Sequence, residues 1–132
     1  MDRAEEVARA AFDAFTRRDV AAMVDIATAD VELVPAAAGS IDGRCYRGPE
    51  GVRDFIRDLD EMWDRFAVVV NEFRAEGDRA LMLGRIHARA RGSGVEIDQA
   101  TGAVIEFRNG LVARWQSFLA HEPALTLFRE TP

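Results

Sequence analysis

FRNGLVARWQSFL, residues 107–119, is the stretch that decides the fold, because it contains the clearest turn signal in the chain. Asn109 and Gly110 both tolerate positive φ angles, and an Asn-Gly pair between two apolar-rich runs is the strongest short-range sign of a two-residue β-hairpin. The stretch therefore predicts two antiparallel strands, one over 95–108 and one from 111 to about 119.

The register of this hairpin follows from its two-residue turn. Position 108 pairs with 111, so the numbers of paired residues sum to 219, and paired residues share a face of the sheet. The expected partners are Ser117 with Gly102, Trp115 with Val104, and Ala113 with Glu106.

Charged residues alternate with small apolar ones in a second stretch, GRIHARARGSG at 84–94. It completes a strand predicted over 79–91, and its last four residues turn the chain back into the strand that begins at 95. With a four-residue turn His87 lies opposite Asp98, and with a tighter turn it lies opposite Gln99.

The rest of the chain reads mainly as helices followed by strands. Apolar residues recur at helical spacing from about 2 to 17, and Asp19 can cap a second, short helix. The other predicted elements are, in chain order, a strand over 30–35, a loop over 36–48, a helix over 48–66, a strand over 66–76 and a short terminal helix from 121. This order indicates an α+β domain in which helices pack on a curved, mixed or antiparallel sheet.

The composition limits the kinds of partner and the cellular location that we expect for the protein. We expect the 132 residues to form one domain, 1–132, and the net charge of −6 argues against nucleic acid as a partner. No apolar run is long enough to span a membrane and the first residues do not resemble a signal peptide, so we expect a cytoplasmic protein without a membrane partner. Alanine richness is combined with arginine at all seventeen basic positions, which is typical of a GC-rich bacterial genome.

The residue types that are missing also limit the chemistry. Without lysine there is no Schiff-base catalysis by a lysine side chain, and the single Cys45 excludes an internal disulfide. No motif or spacing indicates a metal, a nucleotide or another cofactor, so we expect none.

Four stretches follow one another in a characteristic order and spacing: AFDAFTRRDVAAMVDI at 11–26, DVELVP at 30–35, YRGPEGVRDFI at 46–56, and the hairpin at 107–119. In this succession the chain resembles the SnoaL-like branch of the ketosteroid-isomerase-like, nuclear transport factor 2-like superfamily. The resemblance implies a cone-shaped α+β barrel, with N-terminal helices packed on a strongly curved sheet around a concave apolar pocket, commonly in a dimer. Members include isomerases, polyketide cyclases, epoxide hydrolases, dehydratases and proteins whose pocket has no catalytic activity.

The resemblance also has implications for individual residues. The positions that match the acid and base groups of the ketosteroid isomerases are apolar here: Val34, Ala11 and Val104. The aspartate that the cyclases and epoxide hydrolases place in the last strand falls on Ser117, and an Arg-x-Asp pair of the epoxide hydrolases falls on Arg85 and His87. The resemblance therefore implies that Arg85, His87 and Ser117 share the pocket face, and it favours the register with Asp98 opposite His87.

His87 and Asp98 are the candidate catalytic pair, in which the carboxylate holds one ring nitrogen and the other nitrogen faces the cavity. Arg85 is the candidate anchor for an anionic group. Each role has a plainer alternative: His87 is a solvated bystander, and Arg85 forms a salt bridge across the sheet to Glu106 or Asp98. The other candidate ligand-binding residues are Ser117, Trp115, Trp63, Phe55, Leu59, Phe15 and Val34.

Three functions from different classes are compatible with these patterns. The first is binding of a small apolar or weakly acidic molecule in a pocket with a few polar anchors. The second is acid–base catalysis by His87 and Asp98 on a small apolar cyclic substrate, of isomerase, cyclase or epoxide-hydrolase type but not as a standard ketosteroid isomerase. The third is a dimerisation or structural domain whose cone is filled by side chains.

Two features of the tertiary structure are expected from the same patterns. The pocket should measure roughly 300 Å³ or more, with Phe12 and Met62 also in its wall. The convex sheet face should be apolar and be covered by a second copy, giving a homodimer. The apolar residues assigned to that face are Ile86, Ala88, Ile97, Ala103, Ile105, Val112 and Phe118.

Overall fold

The computed structural model describes residues 3–35 and 45–130. Its elements are, in chain order, α1 (Arg3–Thr16), α2 (Val20–Asp25), β1 (Ala27–Val34), β2 (Tyr46–Arg47), α3 (Gly48–Met62), β3 (Trp63–Glu76), β4 (Arg79–Ala90), β5 (Glu96–Arg108), β6 (Leu111–Phe118) and α4 (His121–Glu130). The predicted order of helices and strands is confirmed. The predicted loop over 36–48 lies largely outside the described residues, and its last part contains β2.

Local sequence explains how the first two helices begin and pack. α1 buries the small residues Ala4, Ala8 and Ala14 with Val7, so it lies close to the sheet. Asp19 caps α2 as predicted, because its side chain accepts a hydrogen bond from the backbone N–H of Ala22 at 3.1 Å.

The third helix ends four residues earlier than the sequence predicts. It stops at Met62, and Trp63 is already extended, with φ −121° and ψ 131°. Trp63 and Phe66 are three residues apart, which fits a helix as well as a strand, but here both belong to β3 and pair with β4. Pairing with β4 therefore overrides the helical pattern at this point.

The six strands form one mixed sheet in the order β2-β1-β6-β5-β4-β3. β1 and β6 are parallel, and the other neighbours are antiparallel. Among the described strands the sheet is not closed, since β2 and β3 are its two edges. α1 and α3 pack on the concave face, which confirms the predicted α+β cone.

The Asn-Gly hairpin forms as predicted at its turn but changes register one pair later. Asn109 and Gly110 have φ angles of 54° and 76°, and Phe107 pairs with Val112. A β-bulge at Ala113 then shifts the ladder by one residue. The resulting pairs are Glu106 with Arg114, Ile105 with Trp115, and Ala103 with Ser117, so the predicted partners of Ala113, Trp115 and Ser117 are wrong.

The bulge has a packing cause. Val112 and Trp115 are three residues apart and would point to opposite faces of a regular strand. One extra residue between them lets both point to the concave side. There Val112 is buried in the core, and the Trp115 ring meets the ring of Phe12 edge to face at 4.8 Å.

The hairpin of β4 and β5 has the predicted register. His87 pairs with Asp98 and Arg85 with Ala100, as a four-residue turn requires. On the other face of these strands Ile86 pairs with Gln99. This register, combined with the bulge in β6, separates His87 from Ser117: Ser117 points to the concave side and His87 to the convex side.

The apolar residues predicted for the convex face lie mostly on the concave one. Ile86, Ala88, Ala103, Ile105 and Val112 are buried at 8% exposure or less on the side that α1 and α3 cover. The argument that a second copy must cover them does not hold, because helices of the same chain do so. A homodimer stays a prediction.

Helix α4 covers part of the convex face. Its Ala124 and Phe128 pack against Leu81, Leu83 and Val104, with Phe118 at the edge of the cluster. The guanidinium of Arg79 lies 5.0 Å from the centre of the Phe128 ring and donates to the Phe128 carbonyl. Across residues 3–35 and 45–130, no helix has both the length and the apolar character needed to cross a membrane.

The contact between α4 and the sheet requires a glycine in β5. A Cβ atom on Gly102 would lie 2.7 Å from the Cβ of Ala124. We expect Gly102→Ala to push α4 outwards and to lower the free energy of unfolding by about 1–3 kcal/mol in urea denaturation. The double variant Gly102→Ala/Ala124→Gly should be less destabilised than the sum of the two single variants, and strict additivity would contradict this packing account.

Candidate functional site

A cavity of about 150 Å³ lies between α1, α3 and the concave face of the sheet. It is half the predicted volume, because large side chains fill much of the cone. Seven predicted wall residues line it: Phe12, Phe15, Val34, Phe55, Leu59, Trp63 and Trp115. The eighth, Met62, is 37% exposed and does not belong to the wall.

Six aromatic rings dominate the wall. Phe15 stacks on Phe55 with ring centres 6.1 Å apart and meets Phe66 edge to face at the same distance. Trp63 adjoins Phe66 at 6.0 Å, while Phe12 and Trp115 form a pair at 4.8 Å. Such rings offer both flat faces and edges to a bound molecule.

Two arginines stabilise the aromatic corner of the cavity, which consists of Phe15, Trp63 and Phe66 and lies where α3 passes directly into β3. Arg18 donates to the Phe15 carbonyl at 2.6 Å and to the Phe66 carbonyl at 3.0 Å, and its guanidinium lies 4.6 Å from the Phe15 ring centre. Arg91 donates to the Trp63 carbonyl at 3.3 Å and to the Asp60 carbonyl at 2.9 Å. These bonds fix the backbone from which Phe15, Trp63 and Phe66 reach the cavity.

Four described side chains in the wall carry polar groups: the hydroxyls of Thr101 and Ser117 and the indole N–H groups of Trp63 and Trp115. The Thr101 hydroxyl donates to the Phe118 carbonyl at 2.8 Å, so its proton is already used. Within residues 3–35 and 45–130, the Ser117 hydroxyl has no hydrogen-bond partner. Ser117 was predicted to line the site and does so; Thr101 was missed, because the predicted register paired Ser117 with Gly102 and so placed Thr101 on the opposite face.

None of the described wall residues is ionisable. A serine or threonine hydroxyl does not titrate near neutral pH, so neither can serve as a general base on its own. The site can therefore enclose an apolar molecule and offer it a hydrogen bond.

Arg85, His87 and Asp98 come together, but outside the cavity. On the convex face Arg85 Nε donates to Asp98 Oδ1 at 2.7 Å, and His87 Nδ1 lies 3.9 Å from the same oxygen. The three side chains are 45%, 50% and 59% exposed. The expectation that Arg85 and His87 share the pocket face with Ser117 is wrong, because the bulge at Ala113 reverses the facing of β6 relative to β4.

Arg85 therefore forms a salt bridge across the sheet to Asp98, which is the alternative to its predicted role as an anchor for an anionic group. The hydrogen bond from Arg85 lowers the pKa of Asp98, and the charge of His87 acts in the same direction. Because the pKa of Asp98 is lower in the folded state than in the unfolded state, the salt bridge stabilises the fold at pH values above the ordinary aspartate pKa. This stabilisation is lost as the pH falls through the lowered pKa of Asp98.

Two further titratable side chains, Tyr46 and His121, form contacts that hold elements of the fold together. Tyr46 donates from its hydroxyl to Asp58 Oδ2 at 2.6 Å and ties β2 to α3. At the start of α4, His121 Nε2 lies 3.0 Å from the carbonyl oxygen of Gly84 in β4. In the described part of the chain no group of three or more His, Cys, Asp or Glu residues could hold a metal ion.

A second hollow lies on the convex side near β1 and β6, and it is polar. Its arginines are paired with its own carboxylates: Arg47 and Arg114 both bind Glu32, at 3.3 and 3.0 Å, and Arg108 binds Asp30. Because these charges neutralise one another, the hollow favours no ligand of one sign.

The sequence matches the model of the SnoaL-like domain family over residues 8–115. No protein with a curated description is significantly similar to it in sequence. Among solved structures, a nuclear transport factor 2-like protein of unknown function from Burkholderia pseudomallei K96243 superposes with a TM-score of 0.81 at 22% identity, covering 96% of this chain and 98% of that one.

Two further structures with the same fold contain small molecules. TerC, co-crystallised with polyporic acid, has a TM-score of 0.80 at 21% identity, with 98% of this chain and 97% of that one covered. A protein with a ketosteroid isomerase-like fold from Catenulispora acidiphila DSM 44928, in complex with trimethylamine, has a TM-score of 0.77 at 17% identity, with 92% and 90% covered.

Arg85 should control the titration of Asp98. We expect Arg85→Met to raise the pKa of Asp98 towards the ordinary value of 3.8, followed by NMR titration of the Asp98 carboxyl carbon. Arg89→Met is the matched control, because Arg89 pairs with Asp64 on the same face and should leave Asp98 unchanged. An unchanged Asp98 pKa in Arg85→Met would show that the salt bridge is not formed in solution.

Proposed function

The chain belongs to the SnoaL-like domain family, and from that premise we propose that it binds a small, uncharged, apolar molecule in the cavity under α1 and α3. The observation that carries this proposal is the composition of the described wall, which is apolar except for two hydroxyls and two indole N–H groups. Binding is then driven by removal of apolar surface from water.

The absence of charge from the described wall supports an apolar ligand rather than a weakly acidic one. A carboxylate that enters an apolar cavity loses its hydration, and no wall residue described here offers a compensating cation. Arg85, the predicted anchor for an acidic ligand, lies on the other face of the sheet. The geometry therefore favours an apolar ligand over a weakly acidic one.

The volume sets the scale of the ligand. An apolar cavity of about 150 Å³ accommodates a molecule the size of benzene. The size of the cavity also favours binding over the purely structural alternative, since it exceeds the space of a single water molecule. The small molecules in TerC and in the C. acidiphila protein are consistent with ligand binding on this fold.

The proposal assigns no proton transfer to the site. Acid–base catalysis by His87 and Asp98 would require the ligand to lie on the convex face, whereas the cavity is on the concave one. His87→Gln and Arg85→Met should therefore bind ligands like the parent protein.

Toluene is a suitable first probe, because it is neutral and close in size to the cavity. The two tryptophans of the chain both line the wall, so their indole N–H signals in NMR spectra report binding directly. We expect saturable shifts of both signals. Ala11→Phe adds a ring to the wall and should weaken binding at least about tenfold, equivalent to about 1.4 kcal/mol.

Ala10→Phe is the matched control, because Ala10 is the exposed neighbour of Ala11 on the same helix. It should bind toluene as the parent does. If toluene shifts neither indole signal up to its solubility limit, or if Ala10→Phe and Ala11→Phe bind alike, the cavity is not the binding site.

Charge discrimination provides a second test, with two probes of nearly equal shape. We expect benzoate to bind at least about tenfold more weakly than benzamide at neutral pH, because its charge must be desolvated. As the pH falls and benzoate becomes protonated, its affinity should rise, while the affinity of benzamide stays constant. Equal binding of both probes at neutral pH would contradict an uncharged ligand.

A further inference from the structure

We infer that the ligand is a single-ring compound with one neutral hydroxyl or carbonyl oxygen, and that Ser117 is the residue that selects this oxygen. This inference rests on the proposed function, and it narrows the ligand class from apolar molecules in general. It depends on three observations: the facing of Ser117, the hydrogen bonds of the two wall hydroxyls, and the arrangement of the rings.

The facing of Ser117 follows from the bulged ladder. Ser117 pairs with Ala103, which is fully buried on the concave face, and its neighbours on that face, Trp115 and Leu119, also line the cavity. Without the bulge at Ala113 the hydroxyl would point to the convex side. Its place in the wall is therefore a consequence of the fold and not of local sequence.

The two wall hydroxyls differ in what they can still bind. The Thr101 proton is held by the Phe118 carbonyl, which leaves only the lone pairs of Thr101. Ser117 has no partner in the described part of the chain, so it can donate one hydrogen bond and accept two. A pure hydrocarbon in the cavity would cover this group without replacing its hydrogen bonds to water, which costs binding free energy.

The rings place the apolar body of the ligand beside that hydroxyl. Trp115 lies two residues before Ser117 on the same face and forms the edge-to-face pair with Phe12. A ring that packs against this pair brings a substituent towards Ser117, and the cavity volume leaves room for one ring. A carbonyl would accept from Ser117, and a hydroxyl would donate to it or accept from it.

The test compares phenol with toluene, which differ by a hydroxyl in place of a methyl group, in the parent protein and in Ser117→Ala. The quantity measured is the ratio of the two dissociation constants, from the indole N–H shifts. Comparing this ratio between the parent protein and Ser117→Ala cancels the unequal hydration of the two free probes. We expect the preference for phenol relative to toluene to fall about fivefold in Ser117→Ala, as loss of one hydrogen bond predicts.

Three variants control the result. Ser117→Thr keeps the hydroxyl and should retain the parent ratio, whereas Ser117→Cys keeps the volume with a weak donor and should behave like Ser117→Ala. Thr101→Val removes a hydroxyl that is already engaged, so it should lower the melting temperature but leave the ratio unchanged.

The outcomes separate this inference from the proposed function. If toluene binds the parent protein but the ratio in Ser117→Ala stays within about twofold of the parent ratio, the role of Ser117 is overturned while apolar binding stands. If neither probe binds the parent protein, the proposed function fails, and the inference fails with it. A loss of preference in Thr101→Val equal to that in Ser117→Ala would also overturn the assignment to Ser117.

Discussion

The single extra residue at Ala113 in β6 is the constraint on which the rest of the structure depends. It allows Val112 and Trp115 to point to the same side of the strand, where Val112 enters the core and Trp115 packs on Phe12. The same shift turns Ser117 towards the cavity. A regular strand could bury only one of Val112 and Trp115, so burial of both favours the bulge over an uninterrupted ladder.

The bulge also gives the two sheet faces different chemistry. The cavity wall on the concave face carries apolar side chains, two hydroxyls and two indole N–H groups, and the convex face carries exposed ionisable side chains of β4 and β5, including Arg85, His87 and Asp98. Charged groups remain hydrated on the convex side, which avoids the cost of burying them. As a result, the cavity is suited to recognition by shape and one hydrogen bond, and titratable groups of the described sheet lie away from it.

The arginines have a structural use that lysine could not supply in the same way. Arg18 and Arg91 each donate to more than one backbone carbonyl at the junctions between helices and β3. A planar guanidinium offers several N–H groups at fixed angles, whereas an ammonium group is a single flexible centre. In this chain, which contains no lysine, these bonds hold the aromatic corner of the cavity.

Sequence alone determined the features whose signals are local: the order of the elements, the Asp19 cap and the Asn-Gly turn. It left two registers open for the hairpin of β4 and β5, and the structure has the one that pairs His87 with Asp98. Sequence also identified seven apolar residues of the wall, four of them on α1 and α3, because apolar residues at helical spacing point to one side of a helix. Tertiary structure alone decided the end of α3 at Met62 and the faces to which Ser117 and His87 point. The physical reason is that side chains in a strand alternate with a period of two, so one inserted residue reverses every later position, and whether it is inserted depends on packing against α1, a segment about 100 residues away in sequence.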